Sequence, residues 1–86
     1  MWRIEYTKRA AKDMEKARAS HLCEKTKRLL DVLRANPWQY PPEYEKLMGD
    51  MRGTYSRRIN DQHRLVYFVD EPNQSVVILA LWSHYE

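Results

Sequence analysis

Eighty-six residues with fifteen Lys/Arg, twelve Asp/Glu and three His carry a net charge of +3 and a pI near 9.1. One small domain spanning residues 1–86 with a modest core is therefore expected, and its basic excess suits a polyanion partner without demanding one. The single cysteine, Cys23, excludes an internal disulfide; the start Met1-Trp2-Arg3-Ile4-Glu5 has no apolar leader and no run approaches the ~18 apolar residues of a membrane span, which together suggest a cytoplasmic setting and no membrane.

In chain order, Trp2-Arg3-Ile4-Glu5-Tyr6 alternates as a strand with Trp2, Ile4 and Tyr6 on one face. Thr7 is an N-cap candidate, and Ala10, Met14 and Ala17 form one stripe of the helix that follows. Ser20 is a second N-cap candidate. Leu22, Thr26, Leu29, Leu30 and Leu33 make the apolar face of a second helix, which is expected to end near Ala35 because Pro37 disfavours helical geometry at Asn36. Residues 8–34 hold nine Lys/Arg against four acids. That surface reads as a solvated helix face or, alternatively, as one that meets RNA phosphates.

Residues 36–46, with Pro37, Pro41 and Pro42 among Trp38, Tyr40 and Tyr44, read as an extended connection without ladder bonding. A short strand or turn is placed at Leu47 to Arg52. Tyr55-Ser56-Arg57-Arg58-Ile59 and His63-Arg64-Leu65-Val66-Tyr67 then form a hairpin around Asn60-Asp61-Gln62. Val76 to Trp82 is apolar without alternation, as in a strand buried on both faces. The order β-α-α-β-β-β implies an α+β fold, with two N-terminal helices on one face of a mostly antiparallel sheet.

Strand parity narrows the site. If Ile59, Leu65, Tyr67 and Val69 face the helices, Arg58 and Arg64 face away, which requires an odd-length hairpin loop. Arg57 then has the opposite parity and a structural or partner-facing role. Placing Val77, Leu79 and Leu81 toward the helices sends Ala80, Trp82 and His84 to the free face.

A carboxylate, a histidine and arginines on one surface suit phosphodiester cleavage in RNA, whose 2′-OH is a built-in nucleophile. On this scheme Glu45 is the base, His84 the acid, Arg64 with Arg58 the electrostatic clamp, and Tyr85 holds or stacks on the nucleotide. A carboxylate is a weak base, and neighbouring cations weaken it further, so the isolated protein should be a poor general nuclease unless its substrate is oriented for it. No metal or other cofactor is expected: three scattered His and one Cys lack ligand spacing, Ser56 has no triad context, and no Gly-rich phosphate loop exists. From these residues alone a binding module without catalysis remains an equal alternative.

Glu45-Lys46-Leu47, Gly53-Thr54-Tyr55-Ser56-Arg57-Arg58-Ile59, His63-Arg64-Leu65-Val66-Tyr67 and His84-Tyr85, in this order and spacing, resemble the YoeB/Txe toxins of the RelE superfamily. The resemblance runs over roughly residues 1–85. It implies a RelE-like, microbial-RNase-type fold and a type II toxin that cleaves mRNA in the ribosomal A site. It supports Glu45, Arg64 and His84 as catalytic and Arg58 and Tyr85 as substrate-positioning residues. The implied partners are a YefM/Phd-like antitoxin, the ribosome with its mRNA, and operator DNA through the antitoxin complex alone; such toxins can form homodimers. Where the family often has a lysine three residues after the glutamate, this chain has Met48, with Lys46 as a partial substitute in contacting RNA. The alternatives are a non-catalytic antitoxin-binding co-repressor and a ribosome-independent ribonuclease.

Overall fold

The computed structural model describes residues 1–47 and 53–83, with the backbone alone for Trp82 and Ser83. Its elements are β1 (Arg3–Tyr6), α1 (Lys8–Arg18), α2 (Cys23–Ala35), β2 (Glu45–Lys46), β3 (Thr54–Arg58), β4 (Arg64–Asp70) and β5 (Ser75–Ser83). The sheet order is β1-β5-β4-β3-β2, antiparallel apart from the parallel β1–β5 pair. This is the expected α+β arrangement with one strand added. Glu45–Lys46, expected inside an unladdered connection, pair with Ser56 and Tyr55, and Leu47 N–H reaches Thr54 O. The short strand or turn expected at Leu47 to Arg52 falls, beyond Leu47, on residues 48–52, which lie outside the described residues.

Both helices form on the expected stripes. Ala10, Met14 and Ala17 of α1, and Thr26, Leu29, Leu30 and Leu33 of α2, are buried, with Leu22 packed just ahead of α2. They meet Leu65, Tyr67, Val69, Val76, Ile78 and Leu81 from the sheet, while Trp2 and Ile4 pack against the rim and Tyr6 is left exposed. Helix α2 ends at Ala35, and Asn36 is extended (φ −163°, ψ 108°), as a residue before proline should be. Ser20 does not cap α2. The helix starts at Cys23, and the Ser20 hydroxyl instead accepts from Leu22 N–H and donates to Ala17 O, so it closes the turn between the helices.

The parity of β5 differs from expectation over its first half. Val76 and Ile78 face the helices, not Val77 and Leu79; Leu81 does face them. The reason is a β-bulge. Tyr67 pairs with Ile78 but Val66 with Ala80, so Leu79 is an extra residue, and a second irregularity brings Ser83 opposite Arg64. In a wholly apolar run the side-chain pattern carries no parity signal, so the bulge leaves no trace in the sequence.

Helix α1 secures this bulge at two points. The Thr7 hydroxyl accepts from Ala10 N–H (3.1 Å) as N-cap and donates to Leu79 O (3.2 Å). The buried Asp13 carboxylate accepts from Leu81 N–H (3.2 Å) and lies 3.8 Å from Arg9 Nε. Thr7→Ala is therefore expected to lose about 1–2 kcal/mol of stability, more than a typical exposed cap, read as a lower midpoint in urea unfolding at unchanged slope. A midpoint equal to that of the parent protein would show that neither bond matters.

Candidate functional site

β3 and β4 are joined by five residues, Ile59 to His63, an odd-length loop. Asn60 Oδ1 accepts from Gln62 N–H (2.9 Å) and His63 N–H (2.7 Å), which tightens the turn. Arg58 consequently pairs directly with Arg64, and both guanidinium-bearing side chains share the face opposite the helices. Ile59 on the other parity is fully buried. The short β2 adds Glu45 to the Arg58 face, because Glu45 pairs with Ser56, two residues from Arg58 on the same strand.

These side chains line an open cleft of about 120 Å³ with Glu43, Tyr44, Glu45, Ser56, Arg58 and Arg64 on its walls. Arg64 Nη1 lies 3.5 Å from Glu45 Oε2, a long contact between a half-buried cation and a largely exposed carboxylate. Glu43 and Glu45 line the cleft with Arg58 and Arg64, so an incoming phosphate finds in Arg64 a cation weakly paired and able to exchange partners. Lys46 is not brought here: alternation along β2 pairs it with Tyr55, whose ring packs toward the core. His84 and Tyr85 lie outside the described residues; the neighbouring Ser83 backbone pairs with Arg64. Among the described residues no group of three or more His, Cys, Asp or Glu could hold a metal ion.

Behind the cleft, Arg57 has the structural role its parity suggested. It is 1 % exposed. Its Nε donates to Tyr67 Oη (3.1 Å), Nη1 to Pro42 O (2.7 Å), and Nη2 to both Pro37 O (3.0 Å) and Gln39 O (2.9 Å). Tyr67 Oη in turn donates to Pro37 O (3.0 Å), and the Tyr44 ring lies 4.9 Å from the guanidinium carbon. Burial pushes the Tyr67 hydroxyl above its ordinary pKa of 10.0, and the Arg57 charge opposes that rise. The result is a cationic strut that binds the proline-rich connection to β3 and β4 and so fixes the approach to Glu45. The fixed planar fork of arginine suits this set of carbonyls, which have no carboxylate among them.

The structure brings Glu45, Arg58 and Arg64 together on one cleft, and adds Ser56, Glu43 and Tyr44 as walls that sequence reasoning passed over. The signal for Ser56 was available: it shares parity with Arg58.

Residues 6–85 match the family profile described as the YoeB-like toxin of bacterial type II toxin–antitoxin systems. Toxin YoeB of Mycobacterium bovis is 36% identical over 58 residues, which is 67% of this chain and 66% of that relative, so the match spans just under two thirds of the relative's length. A solved YoeB/ParE toxin from Agrobacterium tumefaciens superposes with a TM-score of 0.87 at 29% identity, covering 96% of this chain and 99% of that one. The toxin in a heterotetrameric YoeB–YefM toxin–antitoxin complex from Staphylococcus aureus gives 0.81 at 31% identity, with 99% of each chain covered. With a family match over nearly its whole length and the same fold as these toxins, the chain belongs to the YoeB-like toxins of bacterial type II toxin–antitoxin systems.

Proposed function

We propose that this toxin is a ribosome-dependent endoribonuclease that cuts mRNA in the A site and thereby inhibits translation. The observation that carries this reading is the Arg58–Arg64 cross-strand pair, sharing one sheet face with Glu45, whose carboxylate lies 3.5 Å from Arg64. Glu45 takes the proton from the 2′-OH, whose oxygen attacks the adjacent phosphorus. Arg64, with Arg58, stabilises the charge that builds on the phosphoryl oxygens. His84, one residue beyond the Ser83 that pairs with Arg64, gives a proton to the departing 5′-oxygen, and Tyr85 holds the nucleotide. The products are a 2′,3′-cyclic phosphate and a 5′-OH end. RNA supplies the nucleophile and the arginines supply the positive charge, so the scheme uses no metal.

The exposure of Glu45 supports dependence on the ribosome. A carboxylate is a weak base by nature, and this one is 63% exposed with a long contact to Arg64. Rate must then come from orientation of the message by something larger, where alignment can supply up to ~7–11 kcal/mol. Similarity to the S. aureus toxin in its complex with YefM supports a YefM-like antitoxin as partner, through which the pair would reach operator DNA. The site of action is the cytoplasm, where the message is translated.

Expression without an antitoxin tests the reading in cells. Growth arrest is expected, and Glu45→Ala or His84→Ala should relieve it while the protein remains folded. Arrest that persists in both variants would remove these residues from the mechanism.

A further inference from the structure

Ser56 occupies the middle of the cleft floor and has no evident reason to be a serine. It is 3 % exposed, and its Oγ is fully buried without a hydrogen-bond partner among the described residues. A buried hydroxyl in that condition costs stability relative to an alanine at the same place. Its cross-strand neighbours show where it points. Ser56 pairs with Glu45 on one side and with the buried Val66 on the other, and the next residue of its parity on β3 is Arg58, which pairs with Arg64. The hydroxyl therefore sits between the carboxylate and the two guanidinium groups, on the central part of a strand, and it lines the same cleft as they do. Local rules broken without gain to the fold are characteristic of functional positions.

We propose that Ser56 is a substrate-positioning residue whose Oγ–H donates to a non-bridging oxygen of the phosphate held by Arg58 and Arg64. This deepens the ribonuclease reading and rests on it. The two arginines attract the phosphate but are long and partly exposed, so they fix its orientation poorly. A short side chain on a laddered strand has one rotatable bond and a fixed origin, and it supplies the third donor that sets the phosphorus relative to the Glu45 carboxylate. Arg64 leans toward Glu45 at 3.5 Å. A phosphate that takes Arg64 as its partner parts that contact, frees Glu45 for the 2′-OH and opens the way to Ser56. The hydroxyl then gains a charged acceptor, a stronger bond than one to a neutral group.

The test compares the parent protein with Ser56→Ala and Ser56→Thr, by cleavage of translated mRNA under single-turnover conditions and by thermal melting. Ser56→Ala is expected to melt at the same temperature or higher, because it removes an unpaired buried hydroxyl, while its cleavage rate falls about ten- to a hundredfold. Ser56→Thr keeps the hydroxyl and should retain more cleavage than Ser56→Ala. Cleavage by Ser56→Ala at the parent rate overturns the proposal. So does a loss of melting temperature matching the loss of rate, which would make Ser56 a structural residue. If the parent protein itself cuts no translated mRNA, the ribonuclease reading falls and this proposal with it; a parent that cuts beside an equally active alanine variant overturns the Ser56 proposal alone.

Discussion

Arg64→Ala is expected to slow cleavage of translated mRNA about 10²–10³-fold, and Glu45→Gln about 10²–10⁴-fold, with little change in stability. The two halves of this expectation have separate causes. Arg64 is the half-buried member of the Arg58–Arg64 pair and the one in reach of Glu45, so removing it takes away the cation best placed for the charge that grows on phosphorus. Glu45→Gln preserves shape and loses the ability to accept a proton. Neither change should unfold the protein, since an ion pair at 3.5 Å with a carboxylate 63% exposed contributes on the order of 0–1 kcal/mol. The double variant should be only slightly slower than the worse single one, because residues acting on one transition state do not multiply their effects. Single-turnover rates with matched urea melts check all three points. Rates within about twofold of the parent would place the reaction elsewhere.

The largest loss of stability is expected one residue before Arg58. Arg57→Ala removes four hydrogen bonds at once, takes the guanidinium from the Gln39 and Pro42 carbonyls, and leaves Pro37 O with the Tyr67 hydroxyl alone of its two described donors. The bonds come from a buried charged donor and are the strong kind, and those to Tyr67 and Pro37 are themselves buried, so a cost of about 3–5 kcal/mol follows. That is a large share of the ~5–15 kcal/mol that holds a small domain together. For a chain of this length the melting temperature should fall by more than about 10 °C. Arg57→Lys should recover only part of this, because an ammonium cannot reproduce a planar fork donating in several directions. A melting temperature within about 3 °C of the parent for Arg57→Ala would mean that the carbonyl cluster is satisfied by water and that the strut is not needed. The adjacent Arg58→Ala, with its side chain in the cleft and exposed, should leave stability nearly unchanged and weaken RNA contact instead.

The contrast between Arg57 and Arg58 shows what the sequence made legible. Alternation decided which arginine was buried, and the buried partners Ile59, Leu65, Tyr67 and Val69 fixed the parity of both strands. The five-residue loop then placed Arg58 opposite Arg64. The helices were readable for the same reason: apolar residues recur at the helical period, and Thr7 and Pro37 mark a start and a stop. Three features were hidden. The bulge at Leu79 lies in a run where every side chain is apolar, so no residue reports which face it occupies. The two-residue strand β2 is too short for any periodicity, and it owes its existence to pairing with Ser56 and Tyr55. The anchoring of the bulge by Thr7 and Asp13 depends on contacts some seventy residues apart along the chain. Of the candidate site, Glu45, Arg58 and Arg64 come together as the sequence suggested, Lys46 is turned to the other face, and His84 and Tyr85 lie outside the described residues.

The most direct test of the central claim is to map mRNA 5′ ends in a reconstituted translation reaction, with and without the protein, alongside the same message free of ribosomes. New 5′-OH ends at codons in the A site, absent from the ribosome-free message and lost with Glu45→Gln, are the predicted result. Equal cutting of free and translated RNA, or no new ends while the protein binds its antitoxin normally, would contradict it.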